Sequence, residues 1–314
     1  MSGLTPESGT SREASAMSTE ATLPMDTKEV SRRAGEFGRF TRVFLNRKIV
    51  VVGLVIIVLF ILTAIFSPLI APFNPNEQNV MNTLRQPSRE HLLGTDTLGR
   101  DIASRVIYGS RTSLLIGITV VAFSAIVGMG LGLIAGYFGG WAYTVIMRVI
   151  DALMAFPMLV LALLIASVLG PGLNNIVIAL SVGLIPIYAR LMCGQVITVR
   201  ENDYITAEHS LGSSNTRIML RHIVPNCLPP LIVLITMMLG SIILAEAGLS
   251  FLGIGISPST PTWGSMVNDG RGYLLQNPLL SFAPGLAIML VVFGFNMVGD
   301  GLRDALDPRL RGLL

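Results

Sequence analysis

The sequence predicts an all-α protein that crosses a membrane about six times. Of its 314 residues, 52% are hydrophobic and 13% are charged, and the mean hydropathy is +0.67. Soluble domains carry about 25% charged residues, so this composition excludes an ordinary soluble enzyme. The chain also holds several apolar runs near the roughly 20 residues that a helix needs to cross the hydrocarbon core.

Six apolar runs are the predicted spans. They lie near residues 49–70, 112–137, 145–169, 176–197, 228–251 and 279–300. Together they form a membrane domain over residues 39–314. Residues 1–38 are rich in Ser, Thr, Glu and Gly without helical periodicity, which predicts a disordered tail. The first apolar run starts too late and is too long for a secretory signal, so we expect it to be retained as the first span.

Basic residues near the span ends predict the orientation. Four of them, from Arg39 to Lys48, crowd the start of the first span, and basic residues favour the cytoplasmic side. With six spans, both termini and the polar segment 200–226 then lie in the cytoplasm. The loop 71–111 carries five arginines and conflicts with this rule. Because this loop follows the first span and the N-terminus is cytoplasmic, the order of the spans places the loop outside.

The sequence lacks the residues that several catalytic and binding classes require. Neither of its two lysines, Lys28 and Lys48, belongs to a G-x-x-x-x-G-K-[ST] phosphate loop, so any ATP hydrolysis must occur on another chain. Two cysteines, Cys193 and Cys227, exclude a disulfide framework. Three histidines without an H-E-x-x-H motif predict no metal site. A net charge of +3 gives no reason to expect nucleic acid as a partner.

Three glycines recur every fourth residue in the second span, at Gly128, Gly132 and Gly136. Glycines at this spacing form a flat helix face that lets a second helix approach closely. The alternative is that membrane helices are simply rich in glycine. We favour close packing, which predicts nothing about the substrate.

Four charged residues lie in or near the spans: Asp151, Arg190, Glu246 and Asp300. Charges at membrane depth are expensive and are candidates for function. All four are near predicted span ends, where reaching the interface or capping a helix would account for them. Coupling to an ion or proton is the alternative, and a proton-coupled carrier would more often place an acid in mid-span.

The polar segment 200–226 predicts a helical hairpin at the membrane surface. Asp203 can cap a short helix through Leu211, and Gly212 can end that helix in a left-handed conformation. One of three consecutive polar residues can cap a second helix that stops before Pro225: Ser213, Ser214 or Asn215. An amphipathic surface loop is the alternative on pattern alone.

Parts of this segment resemble the EAA loop of ABC importer permeases, namely Tyr204, Ala207, Leu211-Gly212 and the closing residues Arg221-His222-Ile223-Val224-Pro225-Asn226. Further stretches resemble one branch, the second permease subunit of dipeptide, oligopeptide, glutathione and nickel importers. These stretches are 93–101, 135–140, 155–157, 245–253, 261–264 and 296–309. The resemblance covers roughly residues 42–311.

The resemblance implies a type I ABC importer permease in a bacterial inner membrane. It implies a second homologous permease subunit, two ATPase subunits and an extracytoplasmic solute-binding protein as partners, with peptides as the substrate. ATP and magnesium would be bound by the ATPases, and this chain would carry no cofactor. The implied ATPase-coupling residues are Tyr204, Ala207, Glu208, Leu211, Gly212, Arg217, Ile218, Arg221, His222 and Pro225. Together with Met219, Ile218 and Arg217 would supply a mixed docking face.

The resemblance also assigns roles outside the hairpin. The loop 253–282, with Trp263 and Arg271, would help to form the periplasmic mouth beneath the binding protein. Leu93–Tyr108 would form an amphipathic helix there, as a brace or as a substrate contact.

One stretch departs from the family pattern. The family often has Glu-Ala-Ala where this chain has Thr206-Ala207-Glu208. A displacement of two residues is about 200° of rotation on a helix, so Glu208 need not replace the usual glutamate. A proton- or sodium-coupled carrier that acts without an ATPase remains the alternative function at this stage.

Overall fold

The computed structural model describes residues 44–256 and 259–306. The predicted tail over residues 1–38 lies outside these ranges. The helices of the described part are α1 Lys48–Ile65, α2 Ser67–Ile70, α3 Ile102–Phe138, α4 Gly140–Met154, α5 Met158–Leu169, α6 Leu173–Arg200, α7 Asp203–Ser210, α8 Asn215–Arg217, α9 Val224–Phe251, α10 Trp263–Gly270 and α11 Leu279–Leu306. Short 3-10 turns cover Val80–Asn82 and Arg271–Tyr273. The β-type pairing found in the described ranges is one isolated bridge, between Thr95 and Asp101.

Five helices in the described part are long and apolar enough to cross a membrane, and a bent pair could form a sixth crossing. The predicted span near 145–169 is not one straight helix, because α4 and α5 meet at an angle of 88°. Pro157 explains the break: a proline has no N–H for the helix ladder and disfavours the helical conformation of the residue before it.

The α3–α6 pair is the tightest part of the bundle. A Cβ atom at Gly132 would lie 2.4 Å from the carbonyl oxygen of Ala189, and one at Gly128 would lie 2.6 Å from that of Ile185. At Gly136 it would lie 2.8 Å from the Cβ of Val196. The structure therefore places all three predicted glycines on the contact with α6, where a larger residue would force the helices apart.

A second group of helices, α1, α9 and α11, packs beside this pair. A Cβ atom at Gly53 of α1 would lie 2.9 Å from the carbonyl oxygen of Gly294 in α11, so these two helices also approach closely. The rest of the α1 surface is exposed and apolar, with residues such as Val51, Val55 and Val58. Such a surface is suited to contact with lipid tails.

The segment before α3 is a compact loop, so the prediction of a helix over Leu93–Tyr108 is wrong for its first nine residues. Gly94 and Gly99 have φ values of 82° and 72°, which a right-handed helix excludes. The Asp96 carboxylate accepts hydrogen bonds from the backbone N–H groups of Leu98 and Arg100, both at 2.9 Å. The helix begins only after Asp101, whose carboxylate accepts from Ser104 N at 2.7 Å and caps α3.

The second hairpin helix continues into a span, so the prediction that it stops before Pro225 is wrong. A π-helical segment, Ile218–Ile223, joins α8 to α9 without a break. In this segment Val224 N–H donates to the carbonyl oxygen of Met219, five residues earlier. These π-helical hydrogen bonds lie directly before Pro225. Proline has no N–H group, so a regular α-helical hydrogen-bond pattern would lack one bond there.

Candidate functional site: the hairpin of residues 200–226

The turn of the hairpin depends on a left-handed glycine. Helix α7 ends at Ser210, and Gly212 has φ +77°. Gly212 N–H donates to His209 O at 3.0 Å, and Ser213 N–H donates to Glu208 O at 3.1 Å. These two bonds satisfy the last carbonyl groups of α7 and set the angle between the two helices.

The caps of the two hairpin helices differ from each other. The Ser214 side chain accepts from Arg217 N and caps α8, as one of the three predicted alternatives. Asp203 is not the cap of α7: the N-cap residue is Asn202, which makes no side-chain capping bond, and Asp203 lies in the first turn. Its carboxylate is still favourable there, because it lies near the positive end of the helix dipole.

Glu208 joins the two arms of the hairpin. Its carboxylate accepts a hydrogen bond from Ser213 Oγ at 2.5 Å and lies 3.5 Å from His222 Nε2. The Ser213 hydrogen bond lowers the pKa of Glu208 below its ordinary value, with smaller contributions from His222, Arg217 and Arg221. Glu208 is therefore ionised at neutral pH and holds the hairpin closed on itself.

The hairpin is anchored to the ends of α3 and α6. Tyr137 OH donates to Asn215 Oδ1 at 2.8 Å and lies 3.4 Å from His209 Nε2. The rings of Tyr137 and His209 are nearly parallel, at 19°, with centroids 6.3 Å apart. Arg200 Nη1 donates to the carbonyl oxygens of Gly136 and Tyr137, at 3.2 and 2.8 Å. A shift of the hairpin would thus act directly on the glycine-packed helix pair.

The inner face of the hairpin is apolar and closed. Ile205, Ile218 and Ile223 are buried against the chain itself. The prediction that Ile218 belongs to a docking face is therefore wrong, because its side chain has no exposed surface. The helix pattern gave no means of telling which apolar residue faced inward.

The outer face of the hairpin carries exposed apolar residues. Leu211 is 82% exposed, Leu220 is 62% exposed and Tyr204 is 43% exposed. Arg217, Arg221, Ala207 and Pro225 are exposed as well. Exposed apolar side chains rimmed by charged ones are typical of a protein–protein contact.

Trp263 and Arg271, the two residues predicted at the periplasmic mouth of the pathway, differ in their exposure. Trp263 is buried: its indole N–H donates to Val106 O at 3.0 Å, and its ring meets Phe60 edge-on at 5.4 Å. It anchors α10 and does not line a surface, which corrects the predicted role. Arg271 is exposed, and its guanidinium carbon lies 5.2 Å from the centre of the Phe251 ring.

The four charged residues in or near the spans also separate into groups. Arg190 Nη2 lies 2.5 Å from Asp151 Oδ1. Glu246 is buried and accepts from Ser250 Oγ at 2.8 Å. Asp300 is exposed near the end of α11. The structure therefore brings Asp151 and Arg190 together, and it leaves Glu246 and Asp300 apart from them.

The sequence predicts no anchoring role for Tyr137, Arg200 or Asn215, and only Asn215 is a candidate for another role, as a helix cap. Within residues 135–140, Gly136 has a spacing pattern of its own, whereas Tyr137 enters only through the resemblance. Tyr137 lies 78 positions from Asn215, and no local pattern connects positions so far apart. The sequence signal for these anchors is that polar residues lie at the ends of otherwise apolar helices.

Two family models match the sequence. The model described as "Binding-protein-dependent transport system inner membrane component" matches residues 128–312. The model described as "N-terminal TM domain of oligopeptide transport permease C" matches residues 36–87. The first match includes the whole hairpin.

Curated relatives match along most of the chain. The dipeptide transport system permease protein DppC of Alkalihalophilus pseudofirmus is 47% identical over 266 residues, 85% of this chain and 88% of that protein. The di/tripeptide transport system permease protein DppC of Pseudomonas aeruginosa is 44% identical over 278 residues, 87% and 92% of the two chains. The glutathione transport system permease protein GsiD of Pectobacterium atrosepticum is 39% identical over 292 residues, 93% and 96% of the two chains.

A solved structure shares the fold. A chain of the MetNI methionine ABC transporter in an inward-facing conformation superposes with a TM-score of 0.55 at 17% identity. The match covers 66% of this chain and 98% of that chain. It confirms the predicted fold class, an all-α membrane protein of the type I ABC importer permease kind.

Proposed function

The chain belongs to the family of binding-protein-dependent transport system inner membrane components, and we propose that it forms half of the translocation pathway of an ATP-driven peptide importer. Family membership favours this function over an ion-coupled carrier that acts alone. The chain is a multi-pass inner membrane protein and a transport subunit.

Peptides are the proposed substrate class. The relatives carry the words dipeptide, di/tripeptide and glutathione in their names, and these compounds share an amide backbone with charged groups. The choice among dipeptides, longer peptides, glutathione and nickel chelates is proposed to depend mainly on the solute-binding protein.

The partners are a second homologous permease, two ATPase subunits and a solute-binding protein. The ATPases would bind ATP and magnesium, since this sequence has no phosphate loop. Both termini and the hairpin would lie in the cytoplasm, where the ATPases are.

One observation carries the proposal: the hairpin is fixed to the bundle on one face and exposed on the other. Tyr137 of α3 donates to Asn215 in the hairpin, and Arg200 ties the end of α6 to the end of α3, whereas Leu211 and Leu220 face outward. A partner that binds the outer face and moves would shift the hairpin as a rigid body, and with it the α3–α6 pair.

The turn at Gly212 tests this arrangement. A β-branched residue at φ +77° is strained by about 1–3 kcal/mol, so Gly212→Val should reorient the hairpin. We expect normal membrane levels, lost peptide uptake into vesicles and weaker co-purification of the ATPases. Gly212→Asn is the matched control, because asparagine tolerates this conformation, and it should retain most of the uptake.

Two results would contradict the proposal. Normal uptake by the Val variant would show that the hairpin angle does not matter for coupling. Uptake by the unmodified complex that persists without ATP and is abolished by dissipating the proton gradient would restore the ion-coupled alternative.

A further inference from the structure

An ion pair lies on the surface of the bundle at membrane depth. Arg190 of α6 and Asp151 of α4 are joined at 2.5 Å, and each side chain is 50% exposed. Neither residue contributes to the hairpin or its anchors. The pair is partly open on one side, so another charged group could approach both members.

The pair lies far from the hairpin end of both helices, and Asp151 is three residues before Met154, the last residue of α4. Arg190 is ten residues before Arg200, the last residue of α6, which is about 15 Å at 1.5 Å per residue. Asp151 is eleven residues after Gly140, the first residue of α4, or about 16 Å along that helix. With the hairpin end of both helices taken as one edge of a hydrocarbon core about 30 Å thick, both residues lie near its middle, and Arg190 is too deep in α6 to be a helix-end charge.

Further exposed polar or small residues continue from the pair toward the hairpin end. We call this set the polar lane: Thr144, Arg148 and Asp151 on α4, and Arg190, Gly194 and Thr198 on α6. Their spacing of three or four residues places them on one face of each helix. A Cβ atom at Gly194 would meet nothing within 4 Å, so the lane is open there.

Contact between the polar lane and lipid tails would be energetically unfavourable. Exposing an ion pair to hydrocarbon is expensive, and charged residues at this depth usually face a bundle interior or a water-filled cavity. The exposed face of α1, with Val51, Val55 and Val58, shows the composition that lipid contact permits in this chain. A dry contact with a second subunit also fits poorly, since burial would remove the water around the exposed half of both charges.

We propose that the polar lane lines the translocation pathway and that the Asp151–Arg190 pair is a transit site for the charged ends of a peptide. This inference rests on the proposed peptide-importer function. The Asp151 carboxylate would receive the ammonium group, and the Arg190 guanidinium would receive the carboxylate group. The two side chains pair with each other when no peptide is present. A peptide must compete with this pairing, so its affinity for the site is low. A site in a translocation pathway needs low affinity, because a tightly bound peptide would not be released.

A double substitution tests the site. Asp151→Leu with Arg190→Met replaces the pair with apolar side chains of similar size, a change that a purely structural ion pair usually tolerates. We expect at least a tenfold loss of peptide uptake, with membrane levels and ATPase co-purification within about twofold of the unmodified complex. Normal uptake by the double variant would overturn the proposal.

A second ion pair supplies the control. Arg47 and Asp304 join the start of α1 to the end of α11, outside the polar lane. Arg47→Gln with Asp304→Asn should leave uptake within about twofold, because an exposed pair contributes little. An equal loss of uptake in both double variants would show a general effect of removing charges and would overturn the assignment of a transit site.

Labelling provides a test that does not depend on the double variant. Gly194→Cys should react with a hydrophilic thiol reagent in vesicles of the full complex, and a transported dipeptide should slow the reaction. Val55→Cys on α1 should stay unlabelled, and the unmodified chain gives the background from Cys193 and Cys227, which are buried. No reaction at Gly194→Cys, or a reaction that peptide does not slow, would overturn the proposal.

The outcomes separate the two proposals. If the unmodified complex takes up no peptide, the proposed function fails, and labelling at Gly194→Cys still decides whether the lane is open to water. If the unmodified complex transports peptide but Gly194→Cys is unreactive, the proposed function stands and the transit site fails.

Discussion

The loop end of the bundle contains a buried cluster of charged side chains, whereas most of the charged side chains of the hairpin are exposed. Asp96, Arg100, Asp101 and Arg105 are all buried, with Arg100 Nε 2.6 Å from Asp96 Oδ2. His91 Nδ1 lies 2.9 Å from Asp101 Oδ1. In the hairpin, Arg217 and Arg221 face the surroundings.

This difference separates a fixed part of the protein from a part that can bind. A buried ionic network is costly to open, because each group would be left without its partner. We therefore expect the loop end to resist rearrangement. The hairpin keeps its shape through a glycine turn and a few hydrogen bonds, and its outer face remains free for another subunit.

The loop end should be the more sensitive region to charge removal. Asp96→Ala would leave Arg100 and Arg105 buried without their shared carboxylate, since Arg105 Nε lies 3.6 Å from Asp96 Oδ2. We expect a loss of about 3–5 kcal/mol of stability, measured as a fall in membrane level and in the thermal midpoint of the purified complex. Glu77→Ala, at an exposed position, is the control and should change neither. A stable Asp96→Ala variant would mean that the network does not hold the loop.

The glycine face should be the next most sensitive. Gly132→Leu brings a side chain to within 2.4 Å of the Ala189 carbonyl oxygen, and overpacking costs about 1–3 kcal/mol. We expect lower membrane levels and impaired uptake. Gly130→Leu is the matched control on the same helix, because nothing lies within 4 Å of its Cβ position. Equal effects at the two positions would show that leucine itself, and not the α3–α6 contact, is responsible.

The smallest effect is expected at Glu208. Its folded-state pKa is lowered, chiefly by the Ser213 hydrogen bond. The carboxylate therefore stabilises the hairpin above the ordinary glutamate pKa of about 4.3, and this contribution is lost as the pH falls through the folded-state pKa. Glu208→Gln should show faster hydrogen exchange at the Gly212 and Ser213 amides than the unmodified chain at neutral pH. The difference should vanish in acid. A difference that stays constant with pH would assign the effect to shape and not to charge.

Much of this architecture could be predicted from local signals. Five apolar runs became long helices, because a run of about 20 apolar residues has few other stable arrangements. The positive φ of Gly212 followed from its position between two capped segments. The break at Pro157 had a signal too, since proline interrupts a helix ladder, but the apolar run on both sides concealed it.

The rest depended on contacts between distant residues. The burial of Ile218 and Trp263 is decided by what packs against them, and Trp263 donates to Val106, 157 positions away. The Asp151–Arg190 pair joins residues 39 positions apart. A single sequence contains no pattern that connects such positions, so the anchors of the hairpin and the polar lane became evident only in the structure.

The central claim is that the outer face of the hairpin binds an ATPase subunit. The most direct measurement is photo-crosslinking from a reactive amino acid placed at Leu211 in the assembled complex, with the same residue at Val55 of α1 as the control. Leu211 should capture an ATPase subunit in high yield, and Val55 should capture none. If the ATPases remain bound to the complex while Leu211 captures no ATPase, the hairpin is not the docking site.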